Sequence, residues 1–350
     1  MKYVLLLPML LLALLIGGCS SSDDDDETPT NGNGLPDPVY YTVNTSADAP
    51  DMNSIDAVWD GVGSVVLPAG KYPAVIARDP QLGGVDLVVK AIVKSGVLYL
   101  YTQWPDADAD LKHYYIYKNA SGVDFSKYVN RGEDKIYVMF DNGQNGTEKA
   151  DCASMCHLSS VTKHFTAGGN VDVWVWKSST TYPAFVAEDS WWDEDGILTD
   201  YPSDLVRYPL YRKNFPATEN FYPYFHHTSG PAFAGPFLYF DDTTSFSPGT
   251  DPALYEVGDT IPAFAIDSAY HDTATVLDSR WEVLTYAEHA GGKWTVVFAR
   301  ELNTGNADDD LDLDEAGIDT LQVSIGLNDN HPYNSENAHS CTFPFYMIIP

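Results

Sequence analysis

An all-β protein, an antiparallel β-sandwich with long irregular loops and few short helices, is the fold this sequence predicts. Three observations predict it. Apolar runs of four to eight residues recur between Gly, Pro and Asp punctuation. Sustained 3.6-residue periodicity is almost absent. The chain carries 23 Tyr and 8 Trp, with 13% aromatics overall, and large flat side chains pack well on a pleated surface. At 350 residues the chain is long enough for a substantial core, and a sandwich of this size is often one domain. A hydrophobic content of 44% argues against disorder.

The chain opens "MKYVLLLPMLLLALLIGGCSSSDDDDE". Lys2 supplies a positive start, and Tyr3 to Ile16 is an apolar run too short to span a bilayer comfortably. Gly17 and Gly18 then lead into Cys19, a pattern that resembles the lipobox of bacterial lipoproteins. Residues 1–18 are expected to be a signal peptide, with Cys19 the lipidated residue of the mature chain. The plainer alternative is an ordinary signal peptide cut nearby. Residues 19–38, rich in Ser, Asp, Gly, Asn and Pro, bury too little apolar area to offset ordering and read as a flexible acidic tether. Ser20 after the cysteine resembles lipoproteins sent to an outer membrane. The expected location is therefore outside the cytoplasm, lipid-anchored to a bacterial outer membrane.

Residues 39–350 are expected to form a single domain. Its strand candidates are "SVVLPAG" (64–70), "VDLVVKAIVKSGVLYLYTQW" (85–104), "DKIYVMF" (134–140) and "VDVWVWK" (171–177). Further on come "RWEVLTYAEHAGGKWTVVFAREL" (280–302), which reads as a hairpin, "DTLQVSIGL" (319–327) and "CTFPFYMII" (341–349). Residues 195–235, rich in Pro, Tyr and Phe, read as a long irregular excursion of the kind that often carries function. Fifty acidic against 19 basic residues give a net charge of −31. Such a surface repels phosphate backbones, so no nucleic-acid partner is expected; it suits solubility or a basic partner.

The stretch "DCASMCH" (151–157) carries the chemistry. Covalent haem attachment needs two thiols placed for the vinyl groups and a histidine directly after the second to reach the iron. The usual spacing is C-x-x-C-H; Cys152, Cys156 and His157 give C-x-x-x-C-H, one residue longer. Other readings stay open. A zinc site wants four ligands and this cluster offers three. An exported protein also permits a disulfide, Cys152 with Cys156 or either with Cys341. A Cys–His nucleophile is disfavoured because adjacent residues seldom orient for base work.

The stretch sits in a wider order of blocks. "IDAVWDG" (55–61), "LYLYTQWPD" (98–106) and "EDKIYVMFD" (133–141) precede it. "VDVWVWKSS" (171–179), "GKWTVVFARELNTG" (292–305) and "SIGLNDNHPYNSENAHSCTFPF" (324–345) follow. In that order they resemble the ethylbenzene dehydrogenase-related haem-binding domain, a β-sandwich related to DOMON cytochromes, over roughly residues 50–350. The resemblance implies haem binding and electron transfer, with an unknown redox protein as partner. It does not imply ethylbenzene oxidation, which belongs to a molybdenum subunit, and fold kinship alone does not transfer function. Family members with a b-type haem hold it through methionine and lysine, whereas those with the cysteine–histidine block look like c-type electron carriers; this chain is similar to the second kind.

On that resemblance Cys152 and Cys156 are thioether anchors and His157 is the proximal ligand. His339 is the first candidate for the distal position, with Met139, His331 and His164 as alternatives. Two cysteines on haem and one on lipid leave Cys341 as a buried thiol. The competing function is an exported carbohydrate-binding module with no haem, with Cys152 and Cys156, or one of them and Cys341, in a disulfide and the aromatic loops of 182–240 stacking on a sugar. An enzyme is not expected, since no nucleophile–base–acid set presents itself.

Four features draw weaker readings. Trp174 and Trp176 share a strand face with Asp172 and would either line the haem or belong to the core. His226 and His227 read as a solvent-facing loop pair rather than a metal or haem site. The acids of "NADDDLDLDEAG" (306–317) are spaced like a calcium loop, but Leu313 stands where the turn requires Gly, so a charged loop is expected. Lys163 and Lys177 read as solvated lysines.

Overall fold

The computed structural model describes residues 37–69, 85–111, 114–118, 125–129, 133–141, 171–193, 196–199, 211–214, 222–266, 279–307, 310–314, 320–328 and 340–350. The chain divides into Met1–Asp37 and Pro38–Pro350, and the account below concerns the second unit. Cys19, Cys152, Cys156, His157, Lys163, His164, His331 and His339 lie outside the described residues.

Two sheets make a sandwich, as the alternation in the sequence predicts. The first contains β1 (Val39–Thr42), β7 (Lys135–Asp141), β8 (Val171–Lys177), β9 (Glu188–Asp193), β10 (Gly196–Thr199), β19 (Leu321–Asn328), β20 (Ser340–Cys341) and β21 (Phe345–Ile348). Its order is β1-β21-β19-β7-β8-β9-β10, with β20 paired to β19. The second runs β17-β18-β4-β3-β2, from β17 (Leu284–His289), β18 (Lys293–Glu301), β4 (Val97–Pro105), β3 (Val85–Lys94) and β2 (Val65–Ala69).

Period-two patterning decides which face each residue serves. Ile136, Val138 and Phe140 of β7, Trp174 and Trp176 of β8, and Leu98, Leu100, Val296 and Phe298 from the other sheet meet in one buried core. Trp176 packs edge-on against Trp104 and Trp294 across the sandwich, with ring centroids 6.4 and 5.0 Å apart. The outward residues of the second sheet, Tyr101 and Val297, are covered by Trp59 of the 3-10 turn Ala57–Gly61. Asp56 caps that turn by accepting from the Val58 amide.

β3 and β4 form a hairpin whose two turn residues, Ser95 and Gly96, have φ of 55° and 80°. Both are left-handed, the geometry that matches strand twist in a two-residue loop. The predicted hairpin of 280–302 is also present, as β17 and β18; Trp281 precedes it in the 3-10 turn Ser279–Trp281.

The expected antiparallel sandwich is present, and two parallel pairings are added to it. β1 pairs with β21 in parallel, Val39 opposite Phe345. β13 (Leu238–Tyr239) pairs in parallel with β16 (Phe264–Ile266). In the first case the chain's opening strand is added to the last one, so no hairpin dictates its direction.

The predicted irregular excursion contains short strands. β11 (Tyr211–Lys213) joins β16, β12 (Phe225–His227) pairs with β14 (Thr243–Ser245), and β5 (Tyr114–Lys118) lies between β6 (Phe125–Val129) and β15 (Thr260–Pro262). These pack around a second core of Ile116, Phe125, Phe246, Tyr255 and Ile261. Among the described residues no helix is long and apolar enough to cross a membrane.

Candidate functional site

Three places in this frame gather buried side chains that a site could draw on. The first is the outer face of the larger sheet, opposite the core. Met139, Val171, Val173, Val175, Trp192 and Cys341 form one buried apolar cluster there. Met139 is 1% exposed. Residues 142–170, which include Cys152, Cys156 and His157, connect β7 to β8, so the connection leaves and re-enters at strands bearing this cluster. The valines of β8 face that side, and Trp174 and Trp176 face the core. Of the two readings of Trp174 and Trp176, lining a haem or belonging to the core, the structure shows the second: strand alternation turns both into the buried core.

Cys341 is disulfide-bonded. This corrects the expectation of a buried free thiol. The bond's partner lies outside the described residues, and the chain's other cysteines are Cys19, Cys152 and Cys156.

The second place is a buried charged centre between the sheets, at the end where β7 stops and β8 begins. Arg300 of β18 faces inward with its side chain fully buried. Its Nη1 donates to Asp172 Oδ2 at 2.5 Å and its Nε to Glu282 Oε1 at 3.2 Å. Asp189 Oδ2 and Asp310 Oδ1 lie 3.6 and 3.5 Å from the guanidinium, and the Arg300 carbon centre sits 5.6 Å from the Trp174 ring. Burial pushes Asp172 up against the pull of Arg300. Burial and the neighbouring Asp310 push Glu282 up to about 8.

The acidic loop feeds this centre through one residue. Asp310 is buried, whereas Asp314 is exposed and Asp312 half-buried. Asp312 accepts from the Asn303 amide at 2.7 Å. Among its described residues the loop of 306–317 is thus not simply a solvated charged loop, since Asp310 is buried against Arg300. Sequence patterning did not reveal Arg300, Asp189 or Glu282 as its partners; the inward parity of Arg300 on a hydrophobic strand was the available signal.

The third place closes the opposite end. The Trp294 indole and the Asp110 amide both donate to Asp134 Oδ2, at 2.8 and 2.7 Å. Burial, then the charge of Asp106, pushes Asp134 up to about 9. Beside it Lys177 pairs with Glu188, which Arg280 also holds at 2.8 Å. Burial would raise Glu188, but Lys177 and Arg280 hold it down to about 2. Lys177 is therefore an ion-paired residue, not the solvated lysine expected.

His226 and His227 also differ from expectation. They sit on β12, so their side chains diverge. His226 is buried, with Nδ1 3.0 Å from the Tyr255 hydroxyl and Nε2 3.5 Å from Asp251. His227 stacks on Phe233 with ring centroids 4.2 Å apart. They do not form a chelating pair.

Fold and site together define a β-sandwich protein with a buried apolar outer face and charged plugs at both ends. The sequence model described as ethylbenzene dehydrogenase matches residues 56–338, well over half the chain, and the chain belongs to that family. No curated protein matches it. Among solved structures it is similar to a carbohydrate-binding module of family 9 from Caldicellulosiruptor kristjanssonii in complex with glucose. That likeness has 7% identity, covers 89% of this chain and 95% of that one, and has a TM-score of 0.35. A Bacteroides uniformis protein described as carbohydrate-binding gives 7% identity, 89% and 100% coverage and a TM-score of 0.35.

Proposed function

We propose that this chain is a haem-binding domain that carries electrons outside the cytoplasm, anchored by lipid at Cys19, and that it is not an enzyme. The observation that carries the proposal is the family match over residues 56–338, which spans Cys152, Cys156 and His157. The buried thioether of Met139 supports it, because it sits on the apolar face flanking the connection that bears those residues. A haem plane needs such a face, and a second axial ligand closes the iron to other chemistry.

In this reading His157 is the proximal ligand and Met139 takes the distal position, ahead of His339. The disulfide constrains the attachment. Cys341 stands opposite Gly326, which stands opposite Tyr137. That level lies four residues, about 13 Å, along β7 from Asp141. Ten residues of chain before Cys152 reach about 33 Å, so both Cys152 and Cys156 have the length to meet it. With Cys19 on lipid, the partner of Cys341 comes from that pair, and one thiol is left for haem. Two thioethers at Cys152 and Cys156 and this disulfide exclude each other. The haem is then held by its axial ligands and at most one thioether, a revision of the two-thioether c-type site.

The test is a denaturing gel stained for haem peroxidase, with a pyridine haemochrome spectrum of the same sample produced in haem-competent cells. Haem present in the native protein with a spectrum showing two intact vinyl groups, or one, supports this assignment. A spectrum showing both vinyls saturated restores Cys152 and Cys156 as paired anchors. Absence of haem from such cells overturns haem binding and returns the chain to the sugar-binding reading. In the loaded protein, His157→Ala is expected to lose haem, and Met139→Leu to keep haem but shift its reduction potential downward.

A further inference from the structure

We propose that the buried carboxyls around Arg300 form a proton-operated clasp: Glu282 and Asp310 share one proton, and its loss releases residues 310–314 from the sandwich. The charged groups that converge there come from five places. Asp172 lies on β8, Asp189 on β9 and Arg300 on β18, while Glu282 links the turn Ser279–Trp281 to β17 and Asp310 follows β18. The guanidinium lies 2.5 Å from Asp172, 3.2 Å from Glu282, 3.5 Å from Asp310 and 3.6 Å from Asp189.

One guanidinium among four acids leaves a surplus of three negative charges if all four are ionised. Buried charges of one sign require compensation. The acids also contact each other in pairs: Glu282 hydrogen-bonds Asp310, and Asp172 hydrogen-bonds Asp189. An ionised carboxylate only accepts, so each such bond needs a proton on one partner. Of the two pairs, Glu282 and Asp310 have the route to water. The Glu282 side chain is 11% exposed, against 1–2% for the three aspartates, and its Oε2 lies 3.4 Å from the exposed Asn306 amide.

The part that yields is the part without a ladder. β8 and β9 hold Asp172 and Asp189 through strand pairing, and β17 is paired to β18 just beyond Glu282. Residues 310–314 rest instead on single bonds: the Leu311 amide to Asp172 Oδ2 at 3.2 Å, Arg300 Nη2 to the Leu311 carbonyl at 3.3 Å and the Leu313 amide to the Leu302 carbonyl at 2.8 Å. Leu311 and Leu313 are seated in the main core. Two negative charges facing each other across the lost proton repel in a poorly screened interior. The direction with pH follows from Glu282, whose folded value is about 8 against an ordinary 4.5. The closed clasp keeps a proton that the open one releases, so closure is fullest below about pH 4.5 and is lost as the pH rises to about 8.

The experiment is native-state hydrogen exchange on the full chain from about pH 5 to pH 9, resolved by amide and corrected for the intrinsic exchange rate. The amides of Leu311 and Leu313 are expected to lose protection at least about tenfold more than those of β3 and β4 over that range. Glu282→Gln still hydrogen-bonds Asp310 and accepts from Arg300 but cannot ionise, and it is expected to keep those amides protected at the alkaline end. Asp310→Asn makes the same change on the other partner and is expected to behave alike, which covers the case that one variant does not fold. Protection at Leu311 and Leu313 that does not fall with pH overturns the proposal. A fall matched by β3 and β4 overturns it too, because the whole sandwich is then opening. An undiminished fall in either folded variant does the same, because the proton then sits elsewhere.

Discussion

Arg300 is the residue on which both layers converge, since it reaches from β18 to Asp172 on β8 across the interior. Removing one partner of a buried ion pair leaves the other charge uncompensated, at about 3–5 kcal/mol. Arg300→Met, which keeps the length and loses the charge, is expected to lower the free energy of unfolding by about that amount in urea titrations at pH 7. At the other end of the sandwich Asp134 makes a pH prediction. Its folded value is about 9 against an ordinary 3.8, so within that window the folded state holds a proton that the unfolded chain has released. Stability is thus fullest below about pH 4 as far as this group is concerned, and is lost as the pH rises toward 9. Asp134→Asn still accepts from the Trp294 indole and cannot ionise. Its unfolding free energy is expected to depend less steeply on pH between 4 and 9 than that of the wild type.

At the scale of elements, the β3–β4 hairpin gives a local test. Gly96 has φ of 80° and open space where a Cβ would go, so Gly96→Ala carries a conformational cost without a clash. That cost is about 1 kcal/mol, readable as a shift in denaturation midpoint at unchanged slope. Ser95→Asn, better suited to its φ of 55°, is expected to raise the midpoint slightly. The strands themselves were legible because their patterning is local. Val171, Val173 and Val175 against Trp174 and Trp176 already separate two faces, and the fold uses both. Which face met the core was not legible, because both are apolar and the choice depends on strands far away in sequence. The lone His226 shows the same limit: its partners Tyr255 and Asp251 lie 29 and 25 residues on, on elements whose docking no short window encodes. The Cys-Cys-His stretch, by contrast, was visible as chemistry from the sequence, while the engagement of Cys341 in a disulfide depends on which strands become neighbours.

For the molecule as a whole, the net charge of −31 sets its response to salt. Self-repulsion weakens as the screening length falls from about 30 Å at 0.01 M to about 8 Å at 0.15 M. The melting temperature is therefore expected to rise across that range in a monovalent salt. The parallel pairing of β1 with β21 has a consequence in time. Val39–Thr42 is among the first strands made, and its ladder partner is Phe345–Ile348, roughly 300 residues later. At synthesis rates of about 5–20 residues per second, the first strand waits about 15–60 s for the last. Throughout that interval the edge formed by Tyr40 and Tyr41 lies open to chaperones or to mispairing. The C-terminal residues thus act as a completion signal: until they arrive, the nascent chain has an unclosed seam where its history began.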